Sequence, residues 1–135
     1  MVRIKKNTFN QIVKQYTNDR TGQTKRLVWN YINSMQKIYF VQCGRRECPV
    51  PWIMFEEDIP VAMLFTDCDQ AIQAANSCIE DCGNLRVVGL PTNAASMYVT
   101  AIAAQGVEHV CFNHGPNRFD ATMEEVLISL GSMSR

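Results

Sequence analysis

The sequence predicts a single α+β domain, a mixed β-sheet with a helical N-terminus and a βαβαβ C-terminal half. Three observations predict it. The hydrophobic period is helical up to Met35, becomes strand-like at Ile38, and alternates between the two after Pro60. The chain has 135 residues, 47% of them hydrophobic, enough for one buried core and too few for two ordinary domains. Capping residues and glycines fall where the period changes. One domain over residues 1–135 is therefore expected, with residues 1–36 as a basic helical arm packed on the rest.

Thr8-Phe9-Asn10-Gln11 has the form of a capping box, and Ile12, Val13 and Tyr16 follow it at helical spacing. Asn18 to Gly22 breaks this first helix. Leu27, Val28, Tyr31, Ile32 and Met35 then mark one face of a second. The β-branched and aromatic run Ile38-Tyr39-Phe40-Val41 predicts a strand ending near Gly44, and Gly44 to Pro51 reads as a loop. Trp52 to Phe55 and Pro60 to Phe65 predict two further strands about a turn at Glu56-Glu57-Asp58, an antiparallel hairpin or meander.

After Phe65 strands and helices alternate. Asp67 opens a helix bearing Ala71, Ile72, Ala75, Cys78, Ile79 and Cys82, with Gly83 as its stop. Leu85 to Leu90 is the next strand. Thr92 is expected to cap a helix carrying Ala95, Val99 and Ile102, which Gly106 ends before the strand Val107 to Phe112. Thr122-Met123-Glu124-Glu125 is a second capping box, opening a last helix that closes at Gly131. A helix between two strands packs back onto the sheet, so the strands after Pro60 should run locally parallel.

The charges are sorted by position. Residues 1–46 hold ten Lys/Arg and one acid, Asp19, whereas residues 47–135 hold three Lys/Arg and twelve acids. A net charge of zero thus hides a basic arm and an acidic body, which points to docking or self-association of the two. Lys5, Lys6, Lys14, Lys25 and Arg26 could meet phosphates, but no nucleic-acid motif accompanies them and nucleic acid is not the expected partner. The docking targets would be acids such as Glu56, Glu57, Asp58, Glu124 and Glu125. The longest uncharged stretch, Val87 to Val107, is broken by Pro91, Thr92, Asn93 and Gln105, so no bilayer span is read. Met1 to Tyr16 lacks the apolar run of an export signal, and the expected location is cytoplasmic.

Without an export signal, the six cysteines are expected as reduced thiols, mostly buried as small apolar residues. Zinc would require Cys43, Cys48, Cys78 and Cys82, whose spacings differ from the two-residue knuckle, and no metal or cofactor is expected. Cys111 with His109 or His114 offers a nucleophile and a base, and Cys43 with Cys48 a redox pair. A thiol enzyme or redox protein is thus the alternative function.

If the strands after Pro60 are parallel, their carboxyl ends form one rim. That rim carries Thr66, Asp67, Thr92, Asn93, Asn113 and His114, where α/β sheets bind ligands. These six are the expected ligand-binding residues, and no catalytic residue is assigned.

The helical N-terminus, Cys48-Pro49-Val50-Pro51, the run Pro60-Val61-Ala62-Met63-Leu64-Phe65-Thr66-Asp67, Gln105-Gly106-Val107 and Phe112-Asn113-His114-Gly115 together resemble the N-terminal domain of SseB-type "enhanced serine sensitivity" proteins. The likeness spans residues 25–130. It implies the same fold class and a non-enzymatic role, and transfers no catalytic residue. The expected function is therefore a non-enzymatic binding or protein-interaction module for an unknown protein or small ligand.

Overall fold

A computed structural model describes residues 4–45, 47–78, 85–115 and 117–133. Among them the chain forms α1 (Ile4–Asn18), α2 (Gly22–Ser34), β1 (Lys37–Arg45), β2 (Cys48–Pro51), β3 (Ile53–Glu56), β4 (Ile59–Phe65), α3 (Cys68–Cys78), β5 (Arg86–Pro91), α4 (Thr92–Ala103), β6 (His109–Phe112), β7 (Phe119–Thr122) and α5 (Met123–Met133). These are five helices on a seven-stranded mixed sheet, the α+β class expected.

Five strands run side by side as β5-β1-β4-β6-β7, while β2 and β3 pair with β1 and β4 respectively. Strand β1 is antiparallel to both β4 and β5, and β6 is parallel to β4, so β4, β5 and β6 all point the same way. The expected parallel set is thus present in direction but not in adjacency. Strand β1 separates β5 from β4, and the only parallel ladder among the described residues is β4–β6.

The two crossovers, β4-α3-β5 and β5-α4-β6, move in opposite directions along the sheet. Right-handed connections must then place α3 and α4 on opposite faces, and the packing agrees. Ile38, Phe40, Ala62, Leu64, Val110 and Phe112 meet Phe9, Val28, Ile32, Val99, Ile102, Val126 and Leu130 on the face covered by α1, α2, α4 and α5. The alternate residues Val41, Val61, Met63, Phe65 and Cys111 meet Ala71, Ala74 and Ala75 of α3 on the other. This division follows the two-residue period of a strand, and each large side chain fully buried contributes about 1.5–3 kcal/mol.

Several element boundaries differ from expectation. Helix α1 begins at Ile4, so Thr8 lies within it rather than capping it. The working capping box is Thr21 with Thr24, where the Thr24 N–H donates to Thr21 Oγ1 and the Thr21 N–H donates to Thr24 Oγ1, both at 3.1 Å. A threonine in the place usually held by Glu or Gln concealed that box. Helix α4 is capped by Pro91 with no side-chain bond, and Thr92 is its first residue. A proline fixed near φ −63° already has the extended geometry of a cap. Helix α5 opens as expected, with the Glu125 N–H donating to Thr122 Oγ1 at 3.1 Å, but runs through Gly131 instead of stopping there. The expected end of the third helix, with Ile79, Cys82 and the stop at Gly83, lies outside the described residues.

Two strands were absent from the sequence reading. Strand β2 lies inside the expected loop, where Pro49 and Pro51 argue against a central strand but not against a peripheral one paired on one side. Strand β7, Phe119–Thr122, is only four residues long. The expected turn at Glu56-Glu57-Asp58 narrows to a two-residue hairpin loop, Glu57-Asp58, with φ 52° and 68°, the left-handed values that a type I′ turn needs at both positions.

Candidate functional site

The expected rim residues fall into three groups. Thr66 and Asn113 leave the adjacent strands β4 and β6 and bind each other. The Thr66 N–H donates to Asn113 Oδ1 at 2.9 Å, and Asn113 Nδ2 donates to Thr66 Oγ1 at 2.7 Å. Asn113 is 2% exposed at φ 57°, a conformation asparagine accepts more readily than most residues. Asp67 caps α3, taking hydrogen bonds from the Gln70 backbone N–H at 2.8 Å and its side-chain amide at 2.9 Å. Thr92 and Asn93 lie at the same end of the sheet but beyond β1, and Asn93 Oδ1 is bonded to the Ala94 N–H at 2.9 Å. His114 is half-buried, with Nδ1 4.0 Å from Cys78 Sγ.

A groove that the sequence reading did not find lies on the α3 side of the sheet. It has a volume of about 670 Å³, with Ile59 and Val61 of β4 and His109 of β6 along it. Glu56 and Glu57 border it from the β3–β4 turn, and Arg118 and Asp120 from β7 and the residue before it. Helix α3 packs on β1, β4 and β5, and the other helices occupy the opposite face, so the outer part of β4, β6 and β7 has no helix above it among the described residues. The only sequence signal for the groove was the alternation of Arg118, Asp120 and Thr122 with apolar Phe119 and Ala121, over the short strand that was missed and the residue before it.

Arg118 organises this groove. Its guanidinium holds both Glu56 oxygens, at 2.7 and 3.0 Å, and reaches Asp120 Oδ1 at 2.7 and 2.9 Å. Strands β3 and β7 are not sheet neighbours, so this link ties the hairpin tip to the far edge. The Arg118 hydrogen bond holds the Glu56 carboxyl below the usual carboxylate range, against a smaller opposing effect of burial.

A depressed carboxyl stabilises the fold above its ordinary pKa, and that stabilisation is lost as pH falls through the folded value. The pair is about one-third exposed, which limits its contribution to below about 1 kcal/mol. Arg118→Met should therefore lower thermal stability slightly at neutral pH. The gap between the two proteins should close on acidification below about pH 4, as melting curves across that range would show.

Cys68, Cys78 and Cys111 are free thiols as expected, and Cys43 departs from expectation. Cys43 is disulfide-bonded rather than reduced, because pairing depends on approach in three dimensions that spacing along the chain does not reveal. The side chain of Cys48 and the whole of Cys82 lie outside the described residues, so the Cys43–Cys48 pair and the zinc set lie partly outside them too. Cys111 is fully buried, and burial pushes its thiol up to about 12. Nearby Arg118 opposes this, and Asp120 and Glu56 reinforce it. A protonated, enclosed thiol is inert. Among the described residues no group of three or more His, Cys, Asp or Glu is placed to hold a metal, and no helix is long and apolar enough to cross a membrane.

Part of the basic arm meets the acidic body within the chain. Lys25 of α2 reaches Glu125 of α5 at 2.6 Å. Burial raises the Glu125 carboxyl, but Lys25 and the Thr122 backbone outweigh it and hold the group below its ordinary range. No family model matches this chain, and no curated protein matches it.

Proposed function

We propose that this protein is a non-enzymatic interaction module of the SseB type, and that the groove between the β3–β4 turn and β7 receives an extended segment of a partner protein. The observation that carries this reading is the sheet face that no helix covers among the described residues, with its groove of about 670 Å³ framed by the Arg118–Glu56–Asp120 cluster. Arg118 faces three acids there, Glu56, Glu57 and Asp120, which favours a partner offering cations beside apolar side chains for Ile59 and Val61. Basic segments include the chain's own arm, so a second copy belongs to the same class of partner.

The rim of Thr66, Asp67, Thr92, Asn93, Asn113 and His114 supports the module more than it serves as its contact surface. Thr66, Asp67, Asn93 and Asn113 already spend hydrogen bonds within the fold. The nucleophile form of the thiol-enzyme alternative is disfavoured by the burial of Cys111. The cytoplasmic setting belongs to the same proposal, although a bonded cysteine is more at home in an oxidising compartment.

A displayed random-peptide library, panned against the native protein and against an Ile59→Ser, Glu57→Lys variant, tests the groove. Both positions are exposed, so the fold should tolerate the changes. The native protein should enrich peptides mixing basic and apolar residues, and the variant should lose them. Equal enrichment on the two proteins, or none on the native one, would reject the groove as the binding surface.

A further inference from the structure

We infer that Cys78 and His114 form a reactive thiol–imidazole pair whose role is exchange with low-molecular-weight disulfides. The two side chains approach to 4.0 Å between Sγ and Nδ1, and both are half-buried, so each remains within reach of solvent. Of the three free cysteines among the described residues, Cys111 is sealed in the core, Cys68 is exposed at the start of α3, and Cys78 stands beside an imidazole.

The pair is held from both sides by the same anchor. His114 follows Asn113, which is locked to Thr66, and α3, which ends in Cys78, starts from the Asp67 cap next to Thr66. A positioned base beside a thiol is the arrangement that yields a thiolate.

In the proposed step the imidazole, with its proton on Nε2, takes the Cys78 proton at Nδ1. The thiolate attacks one sulfur of the small disulfide, the Cys78 S–S bond forms, and the original S–S bond breaks. The departing thiolate leaves as a thiol, carrying the proton returned by the imidazolium. One thiol and one disulfide enter, and one of each leaves, so no external oxidant is needed. This inference is independent of the groove, and its failure would leave that reading untouched.

The test is alkylation of the native protein with limiting iodoacetamide at neutral pH, read by peptide mapping, followed by the same mapping after exposure to oxidised glutathione. Accessibility alone would make the exposed Cys68 the faster of the two. The inference requires Cys78 to be faster, and to be the residue that takes up glutathione. A base that takes the thiol proton as the attack begins is expected to put Cys78 ahead by about threefold. His114→Gln should remove that advantage at Cys78 and leave Cys68 unchanged. Cys68 reacting as fast as Cys78 in the native chain would overturn the inference without any variant, as would a Cys78 rate indifferent to His114→Gln.

Discussion

Replacing Phe119 with alanine is expected to cost about 3–5 kcal/mol of stability, the range for removing a large ring from a close-packed core. Phe119 is 1% exposed and stands where four elements meet. Its ring lies edge-on to Tyr16 of α1 at 5.8 Å and to Trp29 of α2 at 5.4 Å, and beside Phe112 of β6 at 6.2 Å. Trp29 also meets Phe112 edge-on at 5.9 Å, so three rings close on one another and clamp the helical arm to the sheet. Edge-to-face pairs add about 0.5–1.5 kcal/mol each beyond their burial.

The loss should appear both as a lower urea midpoint and as a red shift of tryptophan emission under native conditions, from a loosened Trp29. Phe119→Leu keeps most of the volume and should cost less than half as much. A Phe119→Ala protein that unfolds within about 1 kcal/mol of the parent would show that the arm is held elsewhere.

The second large effect is expected at Asn113. Asn113→Ala deprives the Thr66 N–H of its partner, at about 1–3 kcal/mol for an unsatisfied buried donor. It also places a residue with no stabilising side chain at φ 57°, at about 1 kcal/mol more. A total of roughly 2–4 kcal/mol corresponds to a fall of about 10 °C in melting temperature for a domain of this size. Two companions separate the contributions. Asn113→Gly accepts the backbone angle but makes no side-chain bond, and Asn113→Asp keeps the acceptor for Thr66. Glycine should recover only the backbone part and aspartate most of the hydrogen-bond part. Equal loss in all three variants would mean that the knot between β4 and β6 does not govern this site.

These two residues show where sequence reasoning reached and where it stopped. Asn113 was legible as a rim residue because it follows a β-branched and aromatic run and precedes a glycine. Its partner was not, since Thr66 lies 47 positions away and only the parallel β4–β6 ladder brings them together. Phe119 was illegible even locally. Strand β7, Phe-Asp-Ala-Thr, lacks the apolar run that marked the equally short β3 and β6, and the groove beside it was missed for the same reason. Arg118 was counted as one of three basic residues in an acidic half, and nothing along the chain pointed to Glu56, 62 positions earlier.

Hydrophobic periodicity was sufficient by itself to determine five helices, the strands from β1 onward that exceed five residues, the β3–β4 hairpin and the common direction of β4, β5 and β6, because these depend on the pattern of near neighbours in the chain. The tertiary structure alone decided that β1 would separate β5 from β4, that Cys43 would be bonded, that Cys78 would face His114, and that Arg118 would join β7 to the hairpin tip. Each of those outcomes requires groups far apart in sequence to meet. Which distant groups meet is set by how whole faces of helices and strands bury against one another, and no local pattern encodes that.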